Sequence, residues 1–190
     1  MRTVEIIGYN RANLGKTDAK QLRLQALVPC VLYGGKEQKH FSVPMILFKD
    51  LLYTSEPAFV TINIEGDEYK AIVQDAQYHP VNEIILHVDF LLLSDKAIRM
   101  DIPVKLVGNS IGAQKGGKVT IRLRKLAIFA APDKMPSAIE VDVTHLDIGK
   151  TIKIKELTVG DYKIITPASN PIVAVETTRA LKQAENDAKK

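Results

Sequence analysis

Apolar and polar residues alternate along several short stretches of the chain, a pattern that predicts β-strands. In the most informative of these, Leu86, Val88 and Phe90 fall on one face of a strand, and His87 and Asp89 fall on the other. The polar face of a strand usually carries solvated Lys, Thr or Glu, whereas this one carries a His and an Asp about 7 Å apart along the strand. The pair is therefore a candidate recognition site.

Across residues 1–93 the pattern predicts a small β-barrel with about two helices. Its strands are expected near residues 4–9, 30–33, 41–43, 60–64, 69–74 and 84–90. Residues 65–68 form a turn that joins the fourth and fifth of these strands into a hairpin. Asp18 is positioned to cap a helix that runs to about Ala26, and helical spacing recurs over residues 46–54.

A domain boundary is expected at residues 93–96, and residues 94–176 predict a second, all-β domain. Its strands are expected near residues 100–107, 119–130, 139–143, 152–154, 162–165 and 172–175. Residues 177–190 are charged and rich in Ala, which predicts a flexible tail or a frayed helix. The predicted fold class is mainly β: a barrel domain with about two helices, followed by a second all-β domain.

Composition narrows the class of protein. The 190 residues are enough for one large or two small domains, and 46% of them are hydrophobic. Cys30 is the only cysteine, which excludes an intrachain disulfide and a cysteine-based zinc cluster. The first residues lack a signal-peptide pattern, and no apolar run approaches about 20 residues. These observations predict a cytoplasmic protein that does not enter a membrane.

Charge is unevenly distributed along the chain. Residues 1–40 carry seven Lys or Arg against three Asp or Glu, residues 41–93 carry two against eight, and residues 94–126 carry eight against two. Basic, acidic and basic blocks in succession favour localised contact with a polyanion, although ordinary surface variation gives the same totals.

Residues 112–119 nearly match the phosphate-binding loop of nucleotide-binding proteins. Val119 stands where that loop requires Ser or Thr for magnesium, and a strand-like segment follows where a helix must begin. A glycine-rich hairpin turn is the expected structure. The adjoining cations form either a solvated edge strand or a ribbon that contacts phosphate; they are Lys115, Lys118, Arg122, Arg124 and Lys125.

His87 and Asp89 also resemble half of a metal site or a catalytic pair. His79 and Asp75 are the nearest further ligands, but their spacing matches no known ligand set. No Ser or Cys lies in a nucleophile motif, and Cys30 lies in an apolar strand typical of a core. Neither a metal, a cofactor nor enzymatic activity is therefore expected, and an ordinary surface pair remains the alternative.

Four cations follow the first predicted strand, in a polar loop and the first helix: Arg11, Lys16, Lys20 and Arg23. Lys20 and Arg23 are three residues apart and so share one helix face. A solvated helix face is one interpretation. Contact with a polyanion is favoured because a short barrel brings these cations close to Tyr33 and Lys36.

The order and spacing of several motifs identify a family. Those of the first domain are at residues 15–16, 22–23, 28–36, 73–80 and 86–90, and those of the second are at 116–117, 135–143 and 146–152. With these motifs the chain resembles the bacterial large-subunit ribosomal proteins that bind 5S ribosomal RNA, in the two-domain form that includes the general stress protein Ctc. The resemblance covers nearly the whole chain except the tail.

The resemblance implies a barrel similar to the anticodon-binding domains of glutaminyl-tRNA synthetase, followed by a β domain. It implies a structural role in which the barrel binds a loop-bearing helical part of 5S RNA in the central protuberance, while the second domain meets neighbouring ribosomal proteins or RNA. The RNA-binding positions carried over are Arg11, Lys16, Tyr33, His87 and Asp89, joined by Lys20, Arg23, Gln74 and Gln77. Members of the family often have adjacent arginines where this chain has Lys20 and Gln21, and arginine where it has Tyr78.

This family role predicts that the candidate residues contact different parts of the RNA. The cations neutralise phosphates, while His87 and Asp89 hydrogen-bond base edges or 2′-hydroxyls in the shallow minor groove of A-form RNA. Tyr33 supplies a flat face or a hydroxyl donor. Two alternatives remain: a module of β domains that binds other proteins, and a stress-related hydrolase, for which no nucleophile is visible.

Overall fold

The computed structural model describes residues 1–35, 37–94, 96–158 and 160–178. The chain divides into two compact units, the first spanning Met1–Ala97 and the second beginning at Ile98. The expected boundary at residues 93–96 lies beside this division. Lys36 and most of the predicted tail lie outside the described residues. Within the described part, no helix is long and apolar enough to cross a membrane.

The first unit is a closed six-stranded barrel, which confirms the predicted fold class. Its strands are β1 (Arg2–Asn10), β2 (Leu27–Tyr33), β3 (Lys39–Pro44), β4 (Ala58–Ile64), β5 (Asp67–Tyr78) and β6 (Ile85–Leu92). Around the barrel they follow the order β1-β3-β2-β6-β5-β4. The β1–β4 and β2–β6 pairs are parallel, and the other neighbouring strands are antiparallel.

Alternation along the strands places the apolar residues inside this barrel. In β4, Ala58, Val60, Ile62 and Ile64 are buried and the residues between them are partly exposed. Three phenylalanines fill the interior: Phe41, Phe48 and Phe90. Phe48 reaches it from a 3₁₀ helix at Met45–Phe48, which continues into the helix α2 at Lys49–Leu52. Each buried ring contributes about 1.5–3 kcal/mol of hydrophobic stabilisation.

The other helix of the first unit, α1 (Lys16–Leu24), differs from its prediction at the N-terminus. Its N-cap residue is Gly15, and no side chain caps it. The expected cap by Asp18 is wrong because that carboxylate lies in the first helical turn and binds the guanidinium of Arg11. None of the nine residues of α1 is buried. Apolar packing therefore does little to hold this helix on the barrel.

The second unit contains two β-sheets. Its strands are β7 (Ile98–Val107), β8 (Lys118–Ile121), β9 (Lys125–Ala130), β10 (Ile139–Asp142), β11 (Thr151–Lys153), β12 (Lys163–Ile164) and β13 (Pro171–Glu176). One sheet has the order β10-β7-β9-β12 and the other has the order β11-β13-β8. Short helical turns lie at Ile111–Gln114 (α3), Pro132–Lys134 and Ile154–Glu156.

Two local predictions for this unit are wrong. The single strand expected over residues 119–130 is two strands in different sheets, because residues 122–124 leave the ladder between them. The expected glycine-rich hairpin is absent, since β7 and β8 pair with other strands. Instead, the Ser110 hydroxyl caps the single turn of α3 by accepting a hydrogen bond from the Ala113 amide at 3.0 Å.

The glycines of this segment serve packing. The Gly117 amide donates to the Gly112 carbonyl at 2.8 Å. A Cβ atom on Gly117 would lie 2.7 Å from that same oxygen and 2.7 Å from Val175 Cγ1. Only glycine allows the two backbone segments to approach this closely.

Candidate nucleic-acid interface

The outer faces of three neighbouring barrel strands, β2, β6 and β5, carry the polar residues singled out in the sequence. Val88 and Phe90 are fully buried, so His87 and Asp89, which alternate with them, face outward. Across the ladder Gln77 lies opposite His87, and Asp75 lies opposite Asp89. Together with Tyr33, these four outward residues are called the recognition face below.

His87 and Asp89 contact each other directly, with 2.6 Å between Nδ1 and Oδ1. Their side chains are 28% and 30% exposed. Because an ionised carboxylate only accepts hydrogen bonds, Nδ1 must carry the proton. The contact therefore orients the imidazole and leaves its Nε2 for a partner outside the protein.

A bulge in β5 aligns the recognition face. Val73 pairs with Phe90 and faces the core, but the next paired residue is Asp75, which leaves Gln74 as an extra residue in the strand. With uninterrupted alternation after Val73, Asp75 would point into the barrel. The bulge turns Asp75 and Gln77 outward, opposite Asp89 and His87.

A second irregularity lies in β6, where Gln77 pairs with His87 and Tyr78 pairs with Ile85, so that Leu86 has no partner in β5. The carbonyl oxygen of Leu86 accepts hydrogen bonds from both Nε and Nη2 of Arg23, each at 3.0 Å. Arg23 belongs to the last turn of α1. It therefore attaches that end of the helix to the backbone directly before His87.

The start of α1 is attached by Arg11. Its Nη2 lies 2.7 Å and its Nε 3.2 Å from Asp18 Oδ2. The Arg11 side chain is only 9% exposed, and its backbone amide donates to the His40 carbonyl at 3.1 Å. Arg11 and Arg23 thus hold a helix that has no buried residue of its own.

Lys16 and Lys20 differ from these arginines. Both are exposed and lie four residues apart on α1, which places them on one face of the helix. Neither makes a hydrogen bond or ion pair with another residue in the described part of the chain. The negative charge of Asp18, which lies between them in sequence, is neutralised by Arg11. These two lysines are therefore available for phosphate.

Tyr33 is half-buried at the end of β2, two residues after Val31, which pairs with Asp89. Burial raises the pKa of its hydroxyl, and the negative charges of Asp89 and Asp75 raise it further. The hydroxyl therefore keeps its proton well above neutral pH and can donate a hydrogen bond.

Gln74 and Gln77 are both exposed, the first at the bulge and the second beside His87. Two neighbours give no sign of nucleic-acid contact in the sequence. Asp75 is expected only as a candidate metal ligand, because simple alternation gives no sign that it faces Asp89. His40 pairs with Val31, which in turn pairs with Asp89, so it lies in the same row of the sheet.

Cys30 lies in the barrel core, as expected. Burial raises the pKa of its thiol, and the sulfur donates to the Val28 carbonyl at 3.4 Å. His79 Nδ1 accepts the backbone amides of Val81 and Asn82, both at 3.2 Å. Among the residues that the structure describes, no group of three or more His, Cys, Asp or Glu side chains is arranged to hold a metal ion.

Comparison with known proteins separates the same two parts of the chain. The Ribosomal L25p family matches residues 6–90, and the family described as ribosomal protein TL5, C-terminal domain, matches residues 97–179. The large ribosomal subunit protein bL25 of Amoebophilus asiaticus is 50% identical, and the match covers 100% of both chains. The proteins of the same name from Cytophaga hutchinsonii and Phocaeicola vulgatus are 48% and 40% identical, over 100% and 97% of both chains.

Proposed function

The chain belongs to the Ribosomal L25p family of large-subunit ribosomal proteins, and from this premise we propose that it binds 5S ribosomal RNA through the recognition face and helix α1. The relatives are named as ribosomal proteins and not as enzymes, in agreement with the expected structural role. The place of action is the ribosome in the bacterial cytoplasm. Within the subunit, the proposed site is the central protuberance.

One observation carries the proposal: an oriented His87–Asp89 pair faces outward beside a helix whose lysines have no partner among the described residues. Asp75 and Asp89 lie directly opposite each other, so the recognition face repels phosphate. The RNA backbone is therefore expected to follow Lys16 and Lys20, where it gains electrostatic affinity.

The recognition face then meets the parts of RNA that donate hydrogen bonds. The carboxylates of Asp89 and Asp75 accept from base amino groups or 2′-hydroxyls. Tyr33 donates from its hydroxyl, while Gln77 both donates and accepts. Base edges and 2′-hydroxyls of A-form RNA are displayed together in the wide minor groove, which the outer face of a barrel can approach. Such contacts select a folded RNA over generic duplex.

Arg11 and Arg23 take a positioning role in this proposal. Arg11 is nearly buried and paired with Asp18, so it acts by holding α1. Arg23 donates two hydrogen bonds to the Leu86 carbonyl, and the remaining donors of its guanidinium can still reach a phosphate.

The test is the variant Asp89→Ala, assayed by filter binding with purified 5S RNA and with a random RNA duplex. Glu5→Ala is the matched control, because it removes the same charge from an exposed position on β1, three strands away around the barrel. Asp89→Ala should lower the preference for 5S RNA on the order of tenfold, the equivalent of one charge-assisted hydrogen bond. An equal change on both RNAs, or the same behaviour in Glu5→Ala, would reject the proposed recognition.

A further inference from the structure

The sheet β10-β7-β9-β12 of the second unit has one buried face and one open face. Ile98, Ile102, Leu126 and Ile128 are buried on the inner side. The outer side carries Phe129, a residue that is 44% exposed. Phe129 is the one phenylalanine among the exposed large hydrophobic residues of the described part, so its ring is open to a partner.

The strand register places a cation on each side of this ring. Phe129 pairs with Arg99 on β7 and with Lys163 on β12. Directly paired residues on one face of a sheet have Cβ atoms about 4.5–5.5 Å apart. Both cations are exposed, and neither makes a hydrogen bond or ion pair with another described residue. The row Arg99–Phe129–Lys163 is called the aromatic row below.

The rest of the open face carries charges of both signs. Lys125, paired with Pro103, is exposed and adds a further cation on β9. Asp101 lies opposite Ala127, and Glu140 lies opposite Lys105. Ile165 extends the apolar surface in the row next to Phe129, where its amide donates to the Ala127 carbonyl at 2.9 Å.

We propose that the aromatic row binds an unpaired nucleotide of RNA, with the base stacked on Phe129 and the flanking phosphates on Arg99 and Lys163. Base stacking on an aromatic ring beside backbone-neutralising cations is a general mode of single-strand binding. The site lies in the second unit and shares no residue with the recognition face. It gives the second domain an RNA contact of its own.

The small apolar area and the cations left unpaired among the described residues favour a nucleotide over a protein partner. A single ring and one isoleucine make a small apolar area, whereas docked proteins usually cover patches of several hundred Å². The basic segment highlighted by the sequence is a weaker candidate, since Arg122 pairs with Glu176 and Lys115 pairs with Asp147. The cations of the aromatic row have no such compensation among the described residues.

The experiment uses the full chain and fluorescence anisotropy with two labelled probes: a short oligouridylate and a blunt RNA duplex of the same length. Phe129→Leu keeps an apolar side chain but removes the ring, and it should weaken oligouridylate binding on the order of tenfold. Phe129→Tyr keeps the ring and should bind as the parent does. Tyr53→Leu, which removes an exposed aromatic from the first unit, is the control and should leave oligouridylate binding unchanged.

The cations are tested by salt dependence. Arg99→Gln and Lys163→Gln should each reduce the slope of log affinity against log salt for oligouridylate by about 0.7. Unchanged oligouridylate binding in Phe129→Leu, or an equal loss on the duplex, would overturn the proposal. Asp89→Ala should leave oligouridylate binding intact, so the barrel site and the aromatic row can fail separately.

Discussion

The guanidinium of Arg23 donates two hydrogen bonds to the backbone carbonyl of Leu86, with Nε and Nη2 both 3.0 Å from the oxygen. Leu86 is the residue of β6 that the second irregularity leaves without a partner in β5, and it directly precedes His87. The contact therefore links the helix that carries Lys16 and Lys20 to the strand that carries the recognition face. Because α1 buries no residue, this link and the Arg11–Asp18 pair decide where its cations lie.

Replacing Arg23 by lysine should release the C-terminal end of α1. Lysine keeps the charge but lacks the planar fork that holds one oxygen with two donors. Hydrogen exchange of the α1 amides should become faster. The change should correspond to a loss of about 1.5–3 kcal/mol in the free energy of local opening, the usual contribution of hydrogen bonds to a charged group. Lys20→Arg is the control and should leave exchange unchanged. Parent-like protection in Arg23→Lys would show that α1 is held by other contacts.

Removing Lys16 and Lys20 together should reduce the electrostatic part of RNA binding. For the double variant with both lysines changed to glutamine, the salt slope of 5S RNA binding should fall by about 1.4–1.8, since each phosphate contact adds about 0.7–0.9. Lys49→Gln, on the exposed first turn of α2, should change the slope little. A slope equal to that of the parent would mean that phosphates lie elsewhere.

The bulge in β5 is tested by two single-residue deletions. Deleting Gln74 should leave the barrel folded, because Val73 then still pairs with Phe90 and Asp75 still pairs with Asp89. Deleting Val73 should place Gln74 opposite Phe90 in the core, at a cost of about 2 kcal/mol or more. Urea denaturation compares the two. Equal destabilisation by both deletions would contradict the assigned register.

Tyr33 provides a pH probe of the recognition face. Burial raises the pKa of its hydroxyl, and Asp89 and Asp75 add to the shift, so Asp89→Asn should lower that pKa toward the ordinary value. Absorbance titration of tyrosinate, with Tyr33→Phe subtracted, measures the change. Asp147→Asn, in the second unit, should leave Tyr33 unaffected. If the Tyr33 pKa were identical in the Asp89 variant and the parent, the charge of Asp89 would not act on the Tyr33 hydroxyl, contrary to this prediction.

The same shift has a consequence for stability. A hydroxyl whose pKa is higher in the folded state holds its proton where the unfolded chain has lost it. Its contribution to the unfolding free energy is therefore complete below about pH 10 and declines as the pH rises through the folded pKa. Tyr33→Phe should flatten this part of the stability profile, which denaturation at a series of alkaline pH values records.

Cys30 should report on opening of the barrel. Its side chain is completely buried, and burial raises the pKa of the thiol, so the reactive thiolate is scarce. Labelling by a thiol reagent should therefore be slow in the native protein and fast in denaturant. Rapid labelling under native conditions would contradict the closed barrel.

Local residue order determined most of the fold. Alternation at Val60, Ile62 and Ile64 places apolar side chains on one face of a strand wherever that strand lies, because the side-chain period of two is a property of the backbone. The motifs that carry the family resemblance are likewise local. The two faces of the strand with His87 and Asp89 were therefore visible without a structure.

Only the tertiary structure decided which polar groups meet and which cations remain available. The bulges at Gln74 and Leu86 shift the ladder, so that Asp75 faces Asp89 and the Leu86 carbonyl accepts from Arg23. The pairing of Arg99 and Lys163 with Phe129 depends on strands far apart in sequence. Alternation in the sequence gives the side-chain period within each strand. The register between strands depends instead on the packing of the whole sheet. The recognition face depends on that register.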